Sequence, residues 1–281
     1  MYDVAIIGGG PAGISAAINL KILQKNFVWF STGASEKVIK AERIQNYPGL
    51  PDVTGEQLNW ALLNHACGMG ITPREGVVSA IYDLGGKFSL TVGEEQLEAR
   101  AIILCTGVKS FKDLAGEGDF LGRGVSYCAT CDGLFYRGRE IAVISYDKHF
   151  ENEVEFLSGL AKKTYFLPQY ALTNSVEGAE TVLDKPLKIE GGERVERLVL
   201  SKGALKVDGV FILRNFMPPE QLLHGLSIDG GAIVIDRAMR TNIAGVFAAG
   251  DCTGRPYQYA KSVGEGNIAA HSAVEYLAKL R

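Results

Sequence analysis

Tyr2-Asp3-Val4-Ala5-Ile6-Ile7-Gly8-Gly9-Gly10-Pro11-Ala12-Gly13-Ile14-Ser15-Ala16-Ala17-Ile18-Asn19-Leu20 opens the chain. The first six residues read as a buried strand, Ile14 to Leu20 as an amphipathic helix, and Phe27-Val28-Trp29-Phe30 as a second strand. Between strand and helix stands G-x-G-x-x-G in the strand-turn-helix context that gives the pattern meaning. Gly8 permits the tight turn, Gly10 lets backbone approach a pyrophosphate, and Gly13 allows close helix-strand packing. Pro11 and Ala12 open the helix, whose N-terminus presents amides and positive dipole to phosphates. The acidic residue that often holds the ribose after the second strand is absent. Ser31-Thr32-Gly33 stands there, so Ser31 and Thr32 are the candidates for a contact through hydroxyl, backbone or water.

Two later segments look like the rest of the same dinucleotide site. Ala101-Ile102-Ile103-Leu104-Cys105-Thr106-Gly107 reads as a buried strand ending in a small turn at Thr106 and Gly107. Thr241 to Asp251 reads as another strand, delivering a carboxylate to a loop. Asp251 is the sharper candidate, because a carboxylate directly after an apolar strand needs donors, and ribityl or ribose hydroxyls supply them. The chain then passes Gln258-Tyr259-Ala260 and Gly264-Glu265-Gly266 into a last helix, whose N-terminus suits negative charge on a reduced flavin.

Cys128-Ala129-Thr130-Cys131-Asp132 carries the second chemistry. Two thiols separated by two residues can close a small reducible disulfide, and local setting can make one a nucleophile near neutral pH. Half of a zinc site is the alternative. Structural zinc needs four ligands, and the other cysteines and histidines lie scattered without a second close pair, so no metal is expected.

The chain has 281 residues, 47% apolar and 22% charged, with room for two modest domains and no sign of disorder. A net charge of -3 gives no general reason to expect nucleic acid or an anionic membrane as partner. No apolar run reaches the ~18 residues of a spanning helix, and no n-region precedes the first strand, so a cytoplasmic protein is expected. In a reducing compartment a close cysteine pair is more often catalytic than structural.

These features together resemble the low-molecular-weight flavoprotein thioredoxin reductases over nearly the whole chain. The resemblance rests on Gly8 to Gly13, Gln45-Asn46-Tyr47-Pro48-Gly49, Cys105-Thr106-Gly107, Tyr127 to Gly133, and Gly245 to Asp251. It implies an α/β fold of two Rossmann-like FAD/NAD(P)-binding-type domains, the second inserted into the first. The FAD domain would comprise 1-110 and 218-281, with a redox domain at 111-217, in a homodimer. It also implies that Cys131 faces the flavin, that Cys128 attacks the thioredoxin disulfide, and that Asp132 is the acid/base that protonates the departing thiolate. Lys37 would neutralise an FAD phosphate, an exposed lysine being the plain alternative, and Asn46 would bond the flavin or cap its turn. Cys67, Cys105 and Cys252 are expected to pack as small hydrophobes.

The inserted domain departs from the NADPH-dependent members. Glu140-Ile141-Ala142-Val143-Ile144-Ser145 is a strand and His149 to Lys163 has helical periodicity, but Ser145-Tyr146-Asp147-Lys148-His149-Phe150 replaces the glycine-rich phosphate loop. Bulky side chains would fill the pyrophosphate space, and Asp147 would repel it while capping the helix. After the next strand comes Phe166-Leu167-Pro168-Gln169-Tyr170, with no arginine for a 2′-phosphate. This combination resembles the ferredoxin-dependent flavin thioredoxin reductases. It implies electrons taken singly from reduced ferredoxin, or a flavodoxin-like donor, and passed as a pair through FAD and the dithiol to thioredoxin. An NADPH enzyme with a divergent loop and a flavin-dithiol sensor are the alternatives. An acidic donor would dock on local basic residues, with Arg123, Arg137, Arg139, Lys162 and Lys163 as candidates.

Overall fold

A computed structural model describes residues 1–33, 39, 41–108, 113–172, 174–214 and 217–280. The chain divides into two compact units, Met1–Ser110 with Phe216–Arg281, and Phe111–Asn215.

The first unit starts with β1 (Tyr2–Ile7), in which Val4, Ala5 and Ile6 are fully buried. The turn after it needs glycine: Gly8 has φ +124°, and a Cβ there would lie 2.0 Å from the Cys105 carbonyl oxygen. The helix Pro11–Ile22 begins with proline in its first turn, where no amide partner is lost. It is less amphipathic than its sequence reads, since Pro11 through Ala17 and Leu20 are all buried. The sheet covers one side of it, and the helices Gly55–Gly68 and Tyr259–Lys279 pack on others.

β2 (Phe27–Ser31) pairs parallel with β1. The Gly55–Gly68 helix starts with a reciprocal cap: the Gln57 amide donates to Thr54 Oγ1 (3.1 Å) and the Thr54 amide to Gln57 Oε1 (2.9 Å). Cys67 departs from expectation. It is exposed, because its neighbour Ala66 takes the core-facing position of that helix. β3 (Arg74–Glu75) extends the sheet beyond β2, and β4 (Val78–Asp83), β5 (Phe88–Val92) and the first half of β6 (Glu95–Leu104) form an antiparallel meander. The second half of β6 then runs parallel beside β1.

The second unit is a parallel sheet built from β7 (Val125–Ser126), β8 (Glu140–Ser145), β9 (Lys163–Pro168) and β10 (Ala179–Thr181). After the antiparallel β11 (Pro186–Gly191), β12 (Val195–Leu200) and β13 (Gly203–Lys206), the chain returns as β14 (Gly209–Leu213), giving the order β10-β9-β8-β14-β7. Ile141 to Ile144 are fully buried, as a strand covered on both faces requires. Between β8 and β9 lie a 3-10 turn, Lys148–Phe150, and the helix Glu151–Leu160.

Back in the first unit, the short pair β15 (Ile228–Asp229) and β16 (Ala232–Ile233) precedes β17 (Val246–Ala248), which joins β6 in parallel. β17 is shorter than the strand expected from Thr241 onward, because Thr241 Oγ1 takes the Ile243 amide (3.1 Å) and turns the chain before Gly245. The helix Tyr259–Lys279 packs on Pro11–Ile22 through small residues, Ala269, Ala270 and Ala273 being fully buried. No described helix is long and apolar enough to cross a membrane.

A Cβ on Gly266 would fall 2.2 Å from the Ala12 carbonyl oxygen, so this crossing has no room for a methyl group. Gly266→Ala is expected to destabilise the first unit by about 1–3 kcal/mol. Both tryptophans, Trp29 and Trp60, lie in that unit, so denaturation followed by tryptophan fluorescence reads it alone. An unchanged midpoint would show that the helices re-space without cost.

Candidate functional site

Register decides which loops of the first unit meet. Ile7 stands opposite Phe30 and Leu104, and Leu104 opposite Ala248. Backbone bonds carry the alignment past the strand ends: the Gly8 amide donates to Phe30 O (3.0 Å), Cys105 to Ile7 O (2.7 Å) and Ala249 to Leu104 O (2.9 Å). The loops holding Gly8 to Gly13, Ser31 and Thr32, Thr106 and Gly107, and Asp251 therefore all leave the carboxyl edge of the parallel part of one sheet, where ligands of such folds bind. Ser31 is buried with its hydroxyl turned back to the glycine loop: it accepts the Gly33 amide at 3.0 Å, and a Cβ on Gly9 would fall 1.8 Å from it. At Gly10, by contrast, a Cβ would meet nothing within 4 Å. That open cradle sits at the N-terminus of the Pro11–Ile22 helix, and it fits a dinucleotide pyrophosphate.

Asn46 and Gln258, far apart in sequence, are brought together, the Asn46 side-chain amide donating to Gln258 Oε1 at 2.5 Å. Gln258 is also the N-cap of the last helix and leaves its amides without a side-chain cap. Burial, and after it the Asp251 charge, push the Tyr259 phenol above its ordinary range. Ala260 is exposed in the same first turn. Lys37 lies outside the described residues.

A clasp that sequence reasoning did not single out holds the Asp251 loop. Lys261 Nζ donates to Gly250 O, Thr253 Oγ1 and Gly254 O, each at 2.9 Å, and Glu265 Oε2 takes the Gly250 amide (2.8 Å) and lies 3.2 Å from Lys261 Nζ. The i, i+4 spacing of Lys261 and Glu265 was the readable signal; their target was not. Cys105 and Cys252 pack as small buried thiols. Burial pushes Cys252 up to about 11 and raises Cys105 as well, so neither is a ready thiolate.

In the second unit Cys128 and Cys131 form a disulfide with Cα atoms 5.3 Å apart. Cys128 is buried and N-caps the short redox helix Ala129–Asp132, its Sγ accepting the Cys131 amide at 3.1 Å, while Cys131 is half-buried. Ser126 organises the pair. Its Oγ accepts the Cys128 amide (3.1 Å) and reaches Asp132 Oδ2 (2.7 Å), tying the carboxylate to the redox turn. Only its position two residues before Cys128 hinted at this, through the habit of serine to bond the backbone two residues on. Leu134 and Phe135, 61% and 75% exposed, follow directly.

The loop after β8 is occupied by its own side chains. Asp147 accepts the His149 amide (3.1 Å), so it caps the 3-10 turn ahead of the main helix, and Phe150 is buried. Tyr146 faces the Arg214 guanidinium, 5.8 Å from the ring centroid; Arg214 also stands over Tyr127 at 5.2 Å and forms a buried ion pair with Glu117. Tyr127 donates to Glu117 Oε1 at 2.5 Å, and Tyr170 to Glu151 Oε1 at 2.9 Å. Three of the basic candidates carry exposed ion pairs. Arg139 pairs with Asp208 (3.9 Å), Lys162 with Glu140 (3.1 Å) and Lys163 with Glu180 (2.8 Å), because acidic neighbours on adjacent strands reach them.

Known proteins align with this arrangement along its whole length. The model of the pyridine nucleotide-disulphide oxidoreductase family matches residues 2–144 and 172–266. The thioredoxin reductase of Listeria monocytogenes is 32% identical over 305 residues, covering 100% of this chain and 95% of that protein. A ferredoxin-flavin thioredoxin reductase from Clostridium acetobutylicum, known from a crystal structure, is 44% identical with a TM-score of 0.94, covering 99% of this chain and 98% of that one. The atypical thioredoxin reductase TRi from Desulfovibrio vulgaris Hildenborough is 31% identical with a TM-score of 0.79, covering 99% of each chain. The chain belongs to the pyridine nucleotide-disulphide oxidoreductase family, as a flavoprotein disulfide reductase of the thioredoxin reductase type with FAD as its cofactor.

Proposed function

We propose that this protein reduces thioredoxin with electrons from reduced ferredoxin, as a cytoplasmic homodimer. The observation that carries the choice of donor is the segment Ser145 to Phe150. There Tyr146, a self-capped Asp147 and buried Phe150 stand where a pyrophosphate would need glycines, and no arginine follows β9. The family match runs to residue 144 and resumes at 172, and the stretch between holds this loop, its helix and β9. The crystal-structure neighbour at 44% identity is itself described as ferredoxin-flavin.

FAD, when bound, supplies a centre that gains electrons singly and gives them up in pairs. Gly8, Gly10, Pro11, Ala12 and Gly13 would hold its pyrophosphate, Ser31 and Thr32 its ribose, Asp251 its hydroxyls, and Asn46, Thr106, Gly107, Gln258, Tyr259 and Ala260 the remainder. The Cys128–Cys131 bond takes up two electrons and two protons to become a dithiol, with Cys131 as the flavin-side sulfur. Cys128 gives its proton to Asp132, held by Ser126, and attacks one sulfur of the thioredoxin disulfide, forming a mixed disulfide and releasing a thiolate to which Asp132 passes that proton. Cys131 attacks Cys128, which frees reduced thioredoxin and restores the starting bond. Exposed Leu134 and Phe135 supply apolar contact for a protein partner beside the disulfide.

On anaerobic mixing, reduced ferredoxin should bleach the flavin absorbance within turnover times, whereas millimolar NADPH should not; rapid bleaching by NADPH would give the donor role to the nucleotide. Ser126→Ala should slow thioredoxin turnover about tenfold, since a bond to a carboxylate contributes ~1.5 kcal/mol and each ~1.4 kcal/mol is tenfold in rate. Flavin reduction by ferredoxin should be unaffected in that variant. Cys128→Ser should abolish thioredoxin reduction, and full turnover there would reverse the thiol assignment.

A further inference from the structure

The helix Glu151–Leu160 turns one stripe to the redox centre. A Cβ on Gly133, just after the redox helix, would lie 3.0 Å from Leu157 Cδ2, 3.1 Å from Phe156 Cε1 and 3.4 Å from Leu160 Cδ1. Glu153 is the charged member of the same stripe, one turn before Phe156 and Leu157. The amide of Ala129, itself fully buried, donates to the Glu153 carboxylate. Ala129 is the first residue of the redox helix and adjoins Cys128, whose Sγ draws on the Cys131 amide of the same turn. A carboxylate and a redox sulfur thus share the amides of one helix end.

We propose that Glu153 is a positioning residue of the dithiol, holding the redox helix by the Ala129 amide and setting, through its charge, how readily Cys128 ionises once the disulfide is reduced. The inference rests on the reading of Cys128 as the attacking thiol. Burial, offset in part by the Ala129 amide, pushes the Glu153 carboxyl up to about 7. It therefore changes charge in the neutral range. Below that range it is neutral and leaves the helix-end amides to a Cys128 thiolate; above it the carboxylate opposes the thiolate, and the two titrate as a coupled pair. The other charged groups on the packed elements have partners of their own. Tyr170 bonds Glu151, Asp132 is held by Ser126, Asp147 faces His149, and Lys163 pairs with Glu180. Glu155 is exposed, as is Lys148, and only burial and the Ala129 amide act on Glu153.

The test is iodoacetamide labelling of the anaerobically reduced holoprotein from about pH 5 to about pH 9. Fragmentation of the Cys128–Cys131 peptide separates the two sulfurs, and exposed Cys67 serves as an internal reference. The wild-type Cys128 profile should show two inflections. Glu153→Gln keeps an oxygen for the Ala129 amide but removes the charge, so it should leave one inflection and speed Cys128 labelling above neutrality by about three- to tenfold. Superposable profiles, or a change equal at every pH, would overturn this inference alone. Wild-type labelling on Cys131 in place of Cys128 would overturn the thiol roles, and this inference with them.

Discussion

The parallel register in which Ile7, Leu104 and Ala248 end side by side is the constraint on which the cofactor side of the molecule depends. Because those three residues finish level, the glycine loop, the Thr106 turn and the Asp251 loop open from one edge although long stretches of chain separate them in sequence. Close approach of backbone then becomes the second requirement, met by removing side chains: Gly8 against Cys105, Gly13 against Gly8 and Gly266 against Ala12. The Lys261–Glu265 clasp completes the edge by fixing the loop after β17, whose three residues are too few to hold it alone.

The second unit shows how the same scaffold can carry different chemistry at its strand ends. Strand, helix and strand at β8 to β9 follow the pattern of a nucleotide-binding unit, but the space at the loop is taken by protein charge and aromatic rings. Arg214 and Glu117 are almost fully buried, and removal of either would strand the other's charge away from water. Tyr127 bonds Glu117 and adjoins Cys128, so the cluster reaches from the altered loop to the disulfide.

Much of this was legible in the sequence, for reasons that differ by element. The glycine loop and the strands at 2–7, 27–30 and 140–145 are local patterns, and a local pattern carries its own spacing rule. The Cys-x-x-Cys pair is likewise local. Glu153 and the Arg214–Glu117 pair leave no such trace, since each acts through a partner on another element, the latter across 97 residues. The contact between Asn46 and Gln258 spans 212 residues, yet both positions were singled out, because each stands in a short motif of its own. Cys67 departed from its expected place because helix face is set by neighbours in space, and Ala66 decided it; the pairing of Arg139, Lys162 and Lys163 with Asp208, Glu140 and Glu180 lies beyond a local pattern for the same reason.

A strand-helix-strand unit that has given up its phosphate loop still has a structural task here. The redox helix has four residues, far below the ~12 that an isolated helix needs to persist in water. Its shape must come from packing, and that packing is supplied by the inner stripe of Glu151–Leu160, with Phe156, Leu157 and Leu160 closing on Gly133. The buried strands β8 and β9 fix the direction of that stripe by anchoring both ends of the crossover. The loop at the amino end of the helix is tied down separately, by buried Phe150 and the Asp147 cap, while the middle of the helix cannot change without moving the redox turn.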